Sequence, residues 1–492
     1  NSDGQASVIN FKIIYKILGS LLFLEAVLMG LCLAMAIAYE EDDIPAFIAS
    51  ILVTAFVGFV FKHLGRNSEN KLSRRDSFLL VTLVWVVFSL FATIPFLLGG
   101  YLSTFTDAYF EAMSGFTTTG ATIIDNVEAL PHGILFWRSL TQWVGGLGIV
   151  FTTVALLPSV VKGSTKVFSA EATGPIKTKL HPRLSTSARW IWGVYLTITV
   201  ACMICYKIFG MNYFEALNYS MSSAATGGFA VNNTSTEFFH SPALEYTTIF
   251  FCFISGVNFT LLYTSIIKGR LANLWKDNEF KFYAGIVSIF TLFIMLELIW
   301  RNHYPVEHAF RSALFQVVSF ITTTGLFNDN AALWPHITWV VLALCMFIGA
   351  CSGSTSGGLK CVRGVMLFKT VKNELLQRLH PNAVLPLKIN GVNIPNPQRV
   401  SLLAFLTAYL LLLFLMAFVM ISAGIDNTNA ITICLSSMGN VGPTLGLEIG
   451  PTMSWACLPV YAKWMCSFMM LIGRLEIFTV LVILAPAFWT KN

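Results

Sequence analysis

The chain contains 492 residues, of which 55% are hydrophobic and only 11% are charged. Because a soluble globular domain carries about 25% charged residues, this composition excludes a soluble protein and predicts one that crosses a membrane many times. The formal net charge of +6 does not indicate nucleic-acid binding, since the positive residues are concentrated in particular loops.

Ten apolar segments meet the length of roughly 17–25 residues that a membrane-spanning helix needs. They lie near residues 11–38, 44–62, 77–99, 133–158, 186–209, 242–268, 280–300, 335–375, 398–424 and 454–488. Every second connecting loop is rich in Lys and Arg, whereas the loops between them are acidic or neutral. By the positive-inside rule, the basic loops face the cytoplasm.

The segments are organised as a hairpin followed by four pseudo-repeats. Residues 1–76 form an N-terminal two-helix transmembrane hairpin, and the repeats cover residues 77–160, 186–270, 280–378 and 398–490, the third with a broken second helix. Each repeat has the pattern helix, pore loop, helix. The predicted fold is therefore an all-α polytopic membrane protein with four repeats around one central ion pathway.

Each repeat contains one short polar loop that ends in glycine. The loop triplets are Thr118-Thr119-Gly120, Ala225-Thr226-Gly227, Thr323-Thr324-Gly325 and Asn440-Val441-Gly442. In this alignment a serine precedes the glycine by six positions in three of the four copies, and an alanine precedes it by twelve positions in three. Glycine permits the backbone dihedrals that turn carbonyl groups inward, and rings of carbonyl groups form cation filters. The alternative is that Thr and Gly mediate close helix packing in lipid.

A second glycine-rich sequence interrupts the second helix of the third repeat. It contains Ala350, Cys351, Ser352, Gly353, Ser354, Thr355, Ser356, Gly357 and Gly358. It resembles a phosphate-binding loop, but it lacks the Gly-Lys-Ser/Thr ending and a preceding strand. Its backbone needs polar partners at membrane depth, so we expect a flexible gate on the cytoplasmic side of the loops; the alternative is a static packing kink.

Two arginines lie in apolar segments. Arg474 is expected at mid-helix, where a charge costs about 2.5–3.5 kcal/mol and must face a cavity or a partner. It is predicted to line the pore and repel cations, or alternatively to cap carbonyl groups of the broken helix. Arg138 lies nearer a helix end and is expected to extend its charge towards the surface.

These motifs together resemble a known family. The four single-glycine loops, the sequence Gly-Ser-Thr-Ser-Gly-Gly-Leu-Lys at 353–360 and Gly-Arg-Leu-Glu-Ile at 473–477 resemble the Trk/Ktr/HKT superfamily of potassium transporters. The additional N-terminal hairpin makes the chain most similar to the bacterial TrkH branch. The resemblance covers essentially the whole chain.

The resemblance implies a potassium-selective uptake channel or transporter subunit of the bacterial inner membrane, with its filter loops facing outside. It assigns the filter and the bound potassium to the four triplets, the gating loop to 350–358 and the pore-blocking arginine to Arg474. In the family, serine in the first loop accompanies sodium selectivity, so Gly120 favours potassium. The triplet Asn440-Val441-Gly442 departs from Thr-x-Gly but fits the family's divergent fourth loop.

The resemblance also implies a homodimer in which each protomer has its own pore, on a cytosolic ring of TrkA-type regulatory subunits. ATP, ADP or NADH would bind those subunits, so no cofactor is expected in this chain, and the potassium ion is its substrate. The basic loops 162–189 and 360–399 are expected to form the docking face or, alternatively, only to set topology.

No catalytic constellation is visible in the sequence, so an enzyme is not expected. The alternative to a gated channel is a secondary symporter that couples potassium to protons or sodium. Such a symporter needs intramembrane carboxylates, for which Glu25 and Glu297 are the candidates.

Overall fold

In the computed structural model of the chain, residues 9–69, 72–149, 151 and 184–490 are described. This part of the chain is mostly helical and contains one antiparallel hairpin, in which Lys388 pairs with Asn393 and Ile389 with Val392. The end of predicted segment 133–158 and most of basic loop 162–189 lie outside the described residues.

The helices of the described residues are numbered here in chain order. They are α1 (Phe11–Tyr39), α2 (Ile44–Leu64), α3 (Arg74–Ala92), α4 (Ile94–Leu98), α5 (Phe105–Phe116), α6 (His132–Leu147), α7 (Leu184–Ile208), α8 (Tyr213–Ala225), α9 (Pro242–Ser255), α10 (Phe259–Ile267), α11 (Ala272–Lys276), α12 (Asn278–Asn302), α13 (Val306–Ile321), α14 (His336–Ile348), α15 (Cys361–Leu379), α16 (Asn396–Ser422), α17 (Asn427–Gly439), α18 (Val460–Arg474) and α19 (Phe478–Leu484). Short 3-10 helices occupy Val127–Ala129, Ser235–Phe239, Ala331–Leu333 and Pro486–Phe488.

Six of the ten predicted segments are confirmed as helical spans long and apolar enough to cross a membrane. They are α1, α2, α3 continued by α4, the Thr186–Ile208 part of α7, α12 and α16. Two more segments form bent helix pairs that pass the same test as pairs. The chain therefore has the predicted all-α polytopic membrane fold.

Breaks in the second helix occur in the second and fourth repeats as well as at the predicted position in the third. In the second repeat, α9 and α10 bend by 98° at a short break, and in the fourth repeat α18 and α19 bend by 116°. In the third repeat α14 and α15 are separated by residues 349–360. The breaks at 256–258 and 475–477 are too short to interrupt the hydropathy pattern, so the sequence gives little sign of them.

The N-terminal helices α1 and α2 pack closely against each other through glycines. A side chain at Gly19 would place its Cβ 2.6 Å from the carbonyl oxygen of Gly58, and one at Gly65 would place it 2.5 Å from that of Lys12. Small residues allow such close approach between helices in lipid. Between the two helices, burial raises the pKa of the Asp43 carboxyl group above its ordinary value.

Four short helices, α5, α8, α13 and α17, have 12, 13, 16 and 13 residues. They fall below the roughly 17–25 residues needed to span a bilayer, and their C-terminal halves are buried. Each ends at one of the predicted polar loops, so the C-terminal carbonyl groups, which carry partial negative charge, lie beside those loops.

Candidate ion-permeation site

The four polar loops share one backbone conformation. In each loop one residue has a left-handed φ between 52° and 58°. These residues are Thr118, Thr226, Thr323 and Asn440, in the order of the four loops. Two positions later a glycine has a left-handed φ of 82° at Gly120, 86° at Gly228, 84° at Gly325 and 107° at Gly442. We call these four the ring glycines, and the loops that contain them loop 1 (117–122), loop 2 (226–231), loop 3 (322–327) and loop 4 (440–445).

The common conformation shifts the alignment of the second loop by one residue. Its structural triplet is Thr226-Gly227-Gly228 rather than Ala225-Thr226-Gly227, because Ala225 is the last residue of α8. The other three triplets keep their alignment. The sequence contains a signal for the shift, since counting from Gly228 places Ser222 six positions before it and Ala216 twelve. Both positional rules then hold in all four copies.

The loops meet in a closed cyclic order. A Cβ built on Gly120 would lie 2.0 Å from the carbonyl oxygen of Gly227 in loop 2, and one on Gly228 would lie 2.0 Å from that of Thr324 in loop 3. In the same way, a Cβ on Gly325 would lie 2.4 Å from Val441 O in loop 4, and one on Gly442 would lie 2.4 Å from Thr119 O in loop 1. Each ring glycine therefore leaves room for a carbonyl oxygen of the next loop, which no other residue type permits.

A cavity of about 100 Å³ lies against the ring and is lined by all four ring glycines. Its wall also includes Arg138 and the polar residues Asp125, Asn232 and Asn233. The arrangement can deliver a small hydrated ion to a ring of backbone oxygen atoms.

Loops 1 and 3 are stabilised by pairs of threonine hydroxyl groups. Thr117 and Thr119 share a hydrogen bond of 2.9 Å between their Oγ1 atoms, and Thr322 and Thr324 share one of 2.7 Å. In loop 4, Asn440 Nδ2 donates to Thr119 Oγ1 at 3.0 Å and so ties loop 4 to loop 1. These hydrogen bonds join side chains within loops 1 and 3 and between loops 1 and 4.

The expectation that Arg138 extends its charge towards the surface is wrong. Arg138 is buried and forms an ion pair. Its Nε donates to Glu111 Oε1 at 2.9 Å, and Nη1 donates to Ala230 O in loop 2 at 3.1 Å. Glu111 also accepts from Ile123 N at 2.9 Å. The pair therefore joins the segments that leave loops 1 and 2. Sequence reasoning missed Glu111, which lies in short helix α5 with no motif around it.

Residues 349–360, called here the inner segment, pack directly against the loops. Thr355 Oγ1 donates to Ala224 O at 3.1 Å and accepts from Thr226 Oγ1 at 3.2 Å. Gly357 N donates to Thr323 Oγ1 at 2.7 Å. The inner segment thus contacts loops 2 and 3, and the predicted gate residues 350–358 are buried except for Gly353 and the partly buried Gly358.

One buried carboxylate joins the inner segment to the start of α15. Glu279, near the start of α12, accepts from Ser352 N at 2.6 Å, Ser352 Oγ at 3.0 Å and Val362 N at 2.9 Å. Next to it, Asn390 in the β-hairpin donates to Asp277 Oδ1 at 2.5 Å. This network connects the hairpin of the basic loop 360–399 to the inner segment. Glu279 was not identified from the sequence.

Arg474 lies at the end of α18 rather than at mid-helix, because the helix stops there and bends into α19. Its Nη2 donates to Gly145 O and Gly146 O, both at 2.7 Å, and Nη1 donates to Thr355 O at 3.2 Å. The guanidinium group therefore joins the end of α6 to the inner segment. This position fits both roles expected from the sequence, since a guanidinium group that caps carbonyl oxygens also places its charge beside the inner segment.

Among the described residues, no group of three or more His, Cys, Asp or Glu side chains is arranged to hold a metal ion. The oxygen atoms brought together at the ring are backbone carbonyl groups and threonine hydroxyl groups. Such neutral oxygen ligands suit an ion that must bind and leave repeatedly.

Comparisons with known proteins agree with this architecture. The TrkH family model, described as a cation transport protein, matches residues 43–491. The Trk system potassium uptake protein TrkH of Halomonas elongata is 35% identical over 98% of this chain and 100% of its own length. The protein of the same name from Escherichia coli K12 is 36% identical over 98% of this chain and 100% of its own length.

A solved structure is also similar over its whole length. The crystal structure of the potassium transporter TrkH from Vibrio parahaemolyticus has a TM-score of 0.88 and 35% sequence identity, covering 98% of this chain and 100% of that one. Because the family model spans nearly the whole chain and the relatives match end to end, the chain belongs to the TrkH family of cation transport proteins, a family of transporters and not of enzymes.

Proposed function

We propose that this chain is the membrane subunit of a Trk-type potassium uptake system and that potassium passes through the ring of four loops. The observation that carries the proposal is the closed cyclic contact of the ring glycines with the carbonyl oxygens of the neighbouring loops. The relatives named as potassium uptake proteins support the choice of ion.

Selectivity in this proposal comes from the backbone. The filter consists of Thr118-Thr119-Gly120, Thr226-Gly227-Gly228, Thr323-Thr324-Gly325 and Asn440-Val441-Gly442, whose carbonyl groups replace the hydration shell of the ion. The test is the reversal potential of the purified protein in liposomes under a potassium gradient, with sodium on the opposite side. Flux that does not discriminate potassium from sodium, or no flux above that of empty liposomes, would refute the assignment.

The gate in this proposal is the inner segment together with Arg474. The segment contacts loops 2 and 3 from one side, and Arg474 fixes the carbonyl oxygen of Thr355. Deleting residues 351–357 should raise basal potassium flux, since the deletion removes both the obstruction and the anchor of the arginine. A deletion variant that folds and keeps wild-type flux would make the segment a passive kink.

A secondary symporter is distinguished by the same liposomes. Of the two candidate coupling carboxylates, Glu297 pairs with the exposed Arg301 at 2.9 Å, and Glu25 is buried in α1. Neither lines the cavity beside the ring glycines. A channel gives a reversal potential that follows the potassium gradient alone, whereas a symporter shifts it when a proton or sodium gradient is added.

Regulation in this proposal comes from a cytosolic partner, a TrkA-type nucleotide-binding ring. The chain forms a homodimer in the inner membrane of a bacterial cell, and its basic loops and α15 face the cytoplasm. Helix α15 supports a docking role because it has an exposed apolar stripe of Phe368, Val371, Leu375 and Leu379, which are 59–73% exposed. Contiguous exposed apolar surface often marks an interaction site.

The docking proposal is tested by co-purification. Replacing Leu375 and Leu379 together with Glu should abolish retention of the regulatory subunits while the chain still inserts and dimerises. A double variant that retains the whole complex at physiological salt would place the docking surface elsewhere.

A further inference from the structure

We propose that Gln142 is a specificity-determining residue of the ion pathway, and that its side-chain amide positions the carbonyl group of Gly227 in the ring. The inference rests on the proposed function, because it assigns Gln142 to the same filter. Gln142 belongs to α6 of the first repeat, whereas Gly227 belongs to loop 2 of the second.

The contacts of Gln142 define its orientation. Its side chain is 0% exposed, and Nε2 donates to Gly227 O at 2.8 Å. Its Oε1 accepts from Phe229 N at 3.1 Å and from Ser222 Oγ at 3.3 Å. Because one backbone partner is an acceptor and the other is a donor, the amide fits in this orientation alone. It therefore holds loop 2 on both sides of Gly228.

Gln142 occupies the space that a side chain at position 227 would need. A Cβ built on Gly227 would lie 2.3 Å from Gln142 Cδ. The residues aligned with Gly227 in the other loops are Thr119, Thr324 and Val441, which all have side chains there. The backbone φ of Gly227 is not in the left-handed region, so the amide of Gln142, and not the backbone, excludes a side chain at this position.

The hydroxyl pairs of loops 1 and 3 have no counterpart in loop 2. The residues of the second repeat that align with these threonine pairs are Ala225 and Gly227, which have no hydroxyl group. Ser222 Oγ, which donates to Gln142, also accepts from Gly228 N at 2.9 Å. The amide and this serine together replace the missing pair with a network that reaches the ring glycine itself.

The position of Gly227 O matters because it occupies the space that a side chain at Gly120 would need. The Cβ position of Gly120 lies 2.0 Å from it, so any displacement of this carbonyl group changes the contact between loops 1 and 2. A carbonyl group without its donor can rotate, and a ring with one mobile oxygen atom discriminates less well between potassium and sodium.

The first test replaces Gln142 with Met, which has a similar length but cannot donate or accept at these positions. We expect the potassium/sodium permeability ratio in liposomes to fall at least several-fold, while total cation flux persists. Gln316→Met is the matched control, since Gln316 is 1% exposed and donates to Asp329 O at 3.2 Å, outside the ring. A wild-type ratio in folded Gln142→Met would overturn the inference.

The second test uses complementary replacements and does not depend on the stability of the first variant. Gly227→Val should lower the ratio because the new side chain collides with the Gln142 amide. Combined with Gln142→Ala, the same valine meets no amide, but Gly227 O still has no donor, so the ratio should stay low. A double variant with the wild-type ratio would overturn the inference, because packing at position 227 and not the amide would then set selectivity.

The two proposals fail in different ways. If the wild-type protein shows no potassium-selective flux, the proposed function itself is wrong. If the wild-type protein is selective and every Gln142 variant is equally selective, only the role of Gln142 is refuted.

Discussion

Replacing Arg474 with Ala should open the pathway and weaken the fold at the same time. The side chain is 5% exposed, and its guanidinium group donates to the carbonyl oxygens of Gly145, Gly146 and Thr355 at 2.7–3.2 Å. These oxygens belong to the end of α6 and to the inner segment. Alanine removes the positive charge and releases three carbonyl groups that attract cations.

The size of the effect follows from the charge and the hydrogen bonds. A unit charge about 6 Å from a passing ion repels it by about 3 kcal/mol at an effective dielectric constant of 20. Since about 1.4 kcal/mol corresponds to a tenfold change in rate, losing half of this barrier raises flux about tenfold. Hydrogen bonds to a charged group contribute about 1.5–3 kcal/mol each, so the free energy of unfolding should also fall.

The assay combines rubidium tracer flux in liposomes with the melting temperature in detergent. Arg474→Lys should keep flux low, because the charge remains, yet melt earlier than the wild type, because an ammonium group lacks the planar fork. Arg301→Ala is the control, since that arginine is exposed and pairs with Glu297 within α12. A lower melting temperature of Arg474→Ala without a rise in flux would refute the barrier role and leave a purely structural arginine.

Three further replacements test the ring, the inner segment and the buried ion pair. Gly120→Ala places Cβ 2.0 Å from Gly227 O and should lower the potassium/sodium permeability ratio, whereas Gly100→Ala, with φ of 71° and open space around it, should leave the ratio unchanged. Glu279→Ala removes the three hydrogen bonds that join Glu279 to Ser352 and Val362 and should raise basal flux; unchanged flux would show that the inner segment needs no anchor there. Arg138→Met leaves its carboxylate partner buried and unpaired, which should cost about 3–5 kcal/mol, visible as a lower melting temperature, and an unshifted one would contradict the pair's role.

Much of the fold follows from the sequence because hydropathy and spacing are local properties. Long apolar runs predict α1, α2, α12 and α16, since in lipid each backbone group must be bonded within its own helix. The glycine of each polar loop is an equally local signal, because the left-handed φ of 82° to 107° at the ring positions favours glycine. The alignment of loop 2 was missed by one residue, although Ser222 and Ala216 mark the correct position when Gly228 is the reference.

The contacts between repeats follow from the tertiary structure alone. Gln142 and Gly227 are 85 positions apart and Arg474 and Gly145 are 329 apart, and neither pair leaves a periodic pattern in the sequence. The bends after α9 and α18 interrupt neither apolar run, so hydropathy does not predict them. The sequence by itself therefore determined the membrane fold, the four loops and three of the four ring glycines. The closed ring, the anchors of the inner segment and the partners of Arg138 and Arg474 were decided by packing, because those contacts join residues far apart in the chain.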